Sequence, residues 1–283
     1  MTEVGHLRSP LFITAAGCVG PWGVEIADLL SRADSPVAPP PELPSVPRFV
    51  ESNFPLAVSQ VVSQVKGRRP PAEQVGFVLA TSFGDVTTTD VASRRMAEGR
   101  PHNPLLFYQS IPNSILGHLS KGTNFTGPLS CVSAADLLLT QALTVAELTL
   151  EEGSADQILL IGVDLAESER IAAIRGGPGT AGTPYPVGPP RADIAVVLVV
   201  QRQPSQADGC WRISAEQAPR RLQHPDRDPV TGSMRAFVEV CAAYAGDSDR
   251  AVVLDGDQPD RCVSYALHRL QPVAAGRSTE GVL

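Results

Sequence analysis

The chain has 283 residues, 43% hydrophobic and 19% charged, enough apolar material for one large domain or two small ones; disordered and fibrous classes are excluded. Its 23 Lys and Arg against 30 Asp and Glu give a formal charge of −7, and the arginines are scattered, so no nucleic-acid or anionic-membrane footprint is expected. Apolar runs fall short of the ~18 residues of a membrane span, and the start of the chain lacks the basic flank and apolar core of a signal peptide. The expectation is a cytoplasmic protein whose partner is another protein or a neutral ligand, with no membrane or nucleic-acid partner.

Taken in chain order, residues 11–16 (LFITAA) and 75–81 (VGFVLAT) are short apolar runs bounded by Gly or Ser, the pattern of strands covered on both faces. Between them lies the proline-rich stretch 35–47, and a second such stretch covers 176–190. Proline lacks a donor and fixes φ, so both read as loops. A helix is expected over 86–98, capped by Asp85 and stopped by Gly99. Residues 129–134 (LSCVSA), 157–163 (QILLIGV) and 193–200 (DIAVVLVV) read as further covered strands. The three-or-four spacing of Leu138, Ala142, Val145, Leu148 and Thr149 predicts a helix over 136–152, ended by Gly153. Strands alternating with helices imply an α/β domain with a parallel or mixed sheet. Beyond Gln203 the pattern weakens to strands at 211–215, 250–255 and 262–267 and a helix near 233–245. Residues 1–203 are therefore read as the main domain and 204–283 as a shortened appendage.

The five cysteines, Cys18, Cys131, Cys210, Cys241 and Cys262, are far apart with no C-x-x-C pair, so neither a disulfide framework nor a zinc site is expected and they read as small buried hydrophobes. Histidines and acids do not fall at metal-ligand spacing. The run Gly176-Gly177-Pro178-Gly179 lacks the lysine of a phosphate loop. No cofactor or metal is expected.

Three stretches carry a family resemblance. The opening LFITAAGCVGPWGV (11–24) resembles the first strand and Gly-x-x-x-Pro-x-Gly turn of the β-ketoacyl synthase (ketosynthase) family. Residues 83–128 resemble that family's approach to its nucleophile, including Ser110-Ile-Pro-Asn113, Gly117-His118 and Thr126-Gly-Pro128. Residues 150–168 (LEEGSADQILLIGVDLAES) resemble the helix end and strand that follow the nucleophile. The resemblance spans about residues 10–200. It implies the thiolase-like α/β fold, layered α-β-α-β-α, with the N-terminal half complete and the C-terminal half truncated.

The departures decide what the resemblance implies for function. Where the family ends its strand in Ser-Thr-Ala-Cys, this chain reads Ser133-Ala134-Ala135-Asp136, which puts Asp136 at the nucleophile position. A thiolate at a helix N-terminus accepts an acyl group; a carboxylate there caps the helix but would form a mixed anhydride higher in energy than the thioester. Cys131, five residues upstream, is read as buried within its strand and not a substitute nucleophile. None of His6, His102, His118, His224 and His268 lies in the family's Gly-rich histidine motifs. His118 is read as a satisfied buried histidine, His224 as a loop residue and His268 as lying near a strand end.

The resemblance therefore implies a chain-length-factor-like member of type II polyketide or polyene systems: a non-catalytic partner in a heterodimer with a catalytic ketosynthase, meeting an acyl carrier protein only indirectly. In that reading, residues 105–116 (LLFYQSIPNSIL) form a loop at the subunit interface, and Phe107, Tyr108, Ile111 and Ile115 close the partner's acyl tunnel. Cys131 and Ser133 are further interface candidates, and Asp136 points into a vestigial pocket, capping its helix. For Phe107 and Tyr108 the alternative is ordinary core packing. Two other functional classes stay open: a stand-alone thiolase-fold acyltransferase or hydrolase using Asp136 as a base, and an acyl-carrier-binding scaffold.

Overall fold

The computed structural model describes residues 7–31, 41–69, 72–101, 103–123, 125–166, 168–176, 190–204, 209–216, 230–256 and 262–271. Residues 35–40 of the first proline-rich stretch and 177–189 of the second, together with His6, His102 and His224, lie outside these residues. The elements run β1 (Leu11–Val19), α1 (Ile26–Leu30), α2 (Phe54–Val65), β2 (Val75–Thr81), α3 (Val86–Ala97), α4 (Pro104–Ser110), α5 (Asn113–Thr123), β3 (Leu129–Ser133) and α6 (Leu138–Glu151). They continue as β4 (Gln157–Asp164), α7 (Glu169–Gly176), β5 (Ile194–Gln201), β6 (Trp211–Glu216), α8 (Arg235–Ala245), β7 (Arg250–Asp255) and β8 (Val263–Arg269).

The strands form one eight-stranded sheet in the order β3-β2-β4-β5-β1-β6-β8-β7. β2 runs parallel to β3 and β4, whereas β5 is antiparallel to both β4 and β1. The sheet continues antiparallel beyond β1, with β6 paired to β1, β8 to β6 and β7 to β8. Residues after Gln203 thus add three strands and α8 to the same sheet. β2, β4 and β5 are buried on both faces, which is why they read as unbroken apolar runs.

β3 departs from the expectation of a covered strand. It lies at one edge of the sheet, opposite β7, and Leu129, Cys131 and Ser133 are exposed along it. Its apolar composition could not reveal this, because the missing neighbour is a property of strand order.

Helices α2 and α5 cover one face of the sheet, packing Phe54, Val58, Val61, Ile115 and Leu116 against β2, β4 and β5. On the other face α6 lies against β2 and β4, and α8 against β1 and β5. Both helices also touch β7, so the sheet curls to place its last strands over them; Tyr265 and Val253 join the same apolar cluster as Leu139 and Phe237. The described residues thus stack as helix, strand, helix and strand layers. Close approach is needed where α8 begins: a Cβ on Gly162 would sit 2.7 Å from Met234 Cε and 3.0 Å from the Phe237 ring.

Every strand expected from the sequence is present, as are α3, α6 and α8. The sequence reading missed α1, α2, α4, α5 and α7. The valines of α2 mimic strand composition, yet buried Phe54, Ala57, Val58, Val61, Val62 and Val65 follow a helical spacing. The expected interface loop is instead the end-to-end pair α4 and α5. Asn103 starts α4 by accepting the Leu105 amide, and Pro104 fills the first turn.

Candidate functional site

Because β2, β3 and β4 are parallel, their C-terminal ends open on the same side, the position at which α/β sheets present their sites. The end of β4 is Asp164, fully buried. Its Oδ1 accepts the Thr81 hydroxyl at 2.8 Å and the Ser82 amide at 2.9 Å, and its Oδ2 accepts the Ser233 hydroxyl at 2.6 Å. One carboxylate therefore ties the end of β2 to the turn that precedes α8. Burial pushes its pKa above the ordinary aspartate value, and these hydrogen bonds oppose the shift.

From β3 the chain passes through Asp136 into α6. The turn is sharp: Leu137 lies in the left-handed region, φ 55° and ψ 40°, and the helix begins at Leu138. Asp136 is half-buried and does not cap α6 as expected; its Oδ1 accepts the adjacent Leu137 amide at 2.9 Å. The amide of Thr140, third residue of the helix, is received at 2.7 Å by Asp255 Oδ2 from the end of β7. The Tyr265 hydroxyl of β8 donates to Thr140 Oγ1 at 2.9 Å. The second part of the chain supplies the cap that the turn itself does not.

These groups line a cleft of about 290 Å³, its mouth included, with Ser82, Asp136, Leu137, Ser233, Arg235 and Asp255 on its walls. The Ser82 hydroxyl oxygen is buried there without a hydrogen-bond partner. Among the described residues no cysteine or histidine lines the cleft. Asp255 is 5% exposed, and its pKa is raised to about 6: burial is the main cause, the Thr140 hydrogen bonds oppose it, and Asp136 adds to it. Arg235 acts in the opposite sense, but its guanidinium is engaged by Glu239 at 3.3 Å and by the Gly256 carbonyl at 3.2 Å. Among the described residues the arrangement presents two carboxylates and a capped helix end, with neither a thiolate nor an imidazole to accept an acyl group or move its proton.

The other candidates lie elsewhere. Cys131 is exposed on β3, contrary to its expected burial, and partial desolvation pushes its thiol pKa above the ordinary value, so the position does not activate it. Cys18, Cys210 and Cys241 are buried. Phe107, Tyr108 and Ile111 are 62%, 49% and 40% exposed, which removes core packing as their explanation and leaves them as exposed apolar side chains on α4 and just past its C-terminal end. Ile115 does not share that exposure; at 1% it packs into the chain's own core beneath α5 and cannot reach a partner's tunnel. His118 is half-buried rather than buried and stands edge-on to Phe49 at 5.7 Å. His268 lies near the end of β8.

The sequence reading missed Asp164, Asp255, Arg235, Ser82 and Ser233. A signal existed for the first two: an aspartate closes the apolar runs QILLIGVD and RAVVLD, and an acid at the end of a buried strand is costly unless it has a task.

No family model matches the sequence, and no curated protein does. Many solved structures share the fold, and three of them are each matched over 93% of this chain. One is a ketosynthase in complex with its chain length factor from Xenorhabdus doucetiae, at TM-score 0.65 and 16% identity, with 100% of that chain covered. Another is the ishigamide ketosynthase/chain length factor, at TM-score 0.64 and 17% identity, with 99% of that chain covered. The third is a type II polyketide synthase acyl-carrier protein in complex with its ketosynthase bound to the hexaketide, at TM-score 0.64 and 12% identity, with 100% of that chain covered. The chain has the ketosynthase/chain length factor fold, which is thiolase-like.

Proposed function

We propose that this chain is a non-catalytic ketosynthase-like subunit, a chain length factor, that pairs with an active ketosynthase, stabilises it and shapes its acyl tunnel in type II polyketide, polyene or fatty-acid-like biosynthesis. The observation that carries the reading is the cleft at the start of α6, where Asp136 stands at the family's nucleophile position and spends its carboxylate on its own backbone. Its enclosed part is about 20 Å³, space for about one water molecule, far below the ~300–1,000 Å³ usual for ligand pockets. An extended acyl chain has no room there.

Two exposed features support a partner. The β3 edge offers unpaired backbone groups, which recruit a strand from another chain unless they are blunted. Phe107 and Tyr108 on α4 and Ile111 just past its C-terminal end are exposed apolar side chains suited to an interface core. Two of the structures with this fold are a ketosynthase paired with a chain length factor and a ketosynthase/chain length factor, and a third holds an acyl carrier protein. With a net charge of −7, this chain is a poor direct dock for an acidic carrier, so the active partner would present the carrier's surface.

Co-expression with full-length ketosynthases followed by size exclusion tests the proposal. A one-to-one complex in which only the partner's cysteine becomes acylated is the expected result; an inert monomer with every candidate overturns it. In the reconstituted pair, Phe107→Ala or Tyr108→Ala lengthens the product, and unchanged length with intact pairing removes the tunnel role. Turnover of an acyl thioester by the chain alone, abolished by Asp136→Asn, would establish a stand-alone enzyme instead.

A further inference from the structure

We propose that Asp255 silences the site independently of Asp136: it is a built-in anion on the N-terminus of α6, so that a thiol placed at position 136 would not become reactive. This rests on the reading of the cleft as a disabled condensing site. The argument begins with the helix end. A helix N-terminus activates a nearby thiol because its free amides and the macrodipole favour a negative charge. Here one of those amides already has an anionic partner. Asp255 takes the Thr140 amide at 2.7 Å, the donor that a residue in the preceding turn would otherwise receive.

The occupant is held firmly. Asp255 is the last residue of β7, is 5% exposed, and lines the same cleft as Asp136. Tyr265 from β8 fixes the Thr140 side chain beside it. Among the described residues, the charged and titratable groups around it are Asp136 from the turn, Arg235 from α8 and Tyr265 from β8. Arg235 divides its guanidinium between Glu239 and the Gly256 carbonyl. At pH 7 and above Asp255 is largely ionised, and an anion beside a thiol opposes thiolate formation. Restoring the nucleophile alone leaves this second obstacle in place.

The test compares thiols at position 136 in the full-length chain, in a Cys131→Ser background that removes the exposed thiol. The pH dependence of iodoacetamide alkylation is followed by mass spectrometry of the peptide that contains position 136. With Asp136→Cys alone, the thiol pKa is expected at or above the ordinary ~8.5. Adding Asp255→Asn, which keeps an acceptor for the Thr140 amide but removes the charge, lowers that pKa by about one unit and speeds alkylation at pH 7 about tenfold. Identical profiles for the two variants overturn the proposal, as does a thiol already depressed with Asp136→Cys alone. Where the amide variant fails to fold by circular dichroism, Asp255→Ser carries the same comparison. Failure to pair with any ketosynthase would overturn the subunit reading and leave this profile unchanged, because the profile is measured on the chain alone.

Discussion

Asp255 and Thr140 stand 115 residues apart in sequence, yet a 2.7 Å hydrogen bond joins them and closes the N-terminus of α6 with a carboxylate from the last third of the chain. The bond makes β7 part of the same site as β3 and α6. It couples the stability of the fold to the protonation of one buried acid.

Stability should fall as pH rises through the window between an ordinary aspartate pKa and about 6. Burial raises the folded-state pKa of Asp255 from 3.8 to about 6, so the folded chain holds its proton more tightly than the unfolded chain, and its contribution is full below the lower value and lost above the upper. A shift of that size corresponds to about 3 kcal/mol. Asp164 and Asp85, both raised by burial, act in the same direction. Urea unfolding at pH 4.5 and 7 should show the difference, and Asp255→Asn should flatten most of it.

Leu137→Gly should be more stable than Leu137→Ala. Both remove the same buried side chain, but only glycine relieves the left-handed backbone at φ 55°, which costs other residues roughly 1–2 kcal/mol. Denaturant midpoints that rank alanine above glycine would mean the turn relaxes out of this conformation.

Phe107→Asp should leave the free chain's stability within about 0.5 kcal/mol of wild type, since the residue is 62% exposed. The same change should abolish co-purification with a ketosynthase partner, because it buries an unpaired charge in an apolar interface. Ile115→Asp should instead unfold the chain, as that residue is 1% exposed.

Cys131 should report on the β3 edge. In the free chain it is exposed and open to maleimide. Pairing at this edge should slow its labelling by at least about tenfold, since a strand added to an edge covers side chains on both its faces. Equal rates in the free chain and the complex would place the partner elsewhere.

The strands β2, β4 and β5 were legible because burial on both faces leaves only apolar residues in them. Asp136 was singled out only through the family resemblance, because Ser133-Ala134-Ala135-Asp136 stands where that family reads Ser-Thr-Ala-Cys. Helix α4 was not legible, since seven residues make only about two turns, and α5 was not, since Gly117 and Gly122 lower its helix propensity although Ile115, Leu116 and Leu119 keep a helical spacing. Cys131 was misplaced because alternation tells which residues share a face of a strand, not whether a neighbouring strand or helix covers it.

By itself the sequence determined the α/β class and the position of the strands, because each of these is written within a short window of chain; the family resemblance added the expectation that Asp136 stands at the nucleophile position. Only the tertiary structure decided that β3 is an edge, that Phe107 and Tyr108 face outward while Ile115 faces inward, and that Asp255 closes the end of α6. These depend on which distant segments meet when the sheet curls, and no local pattern of residues encodes a contact made across 115 positions.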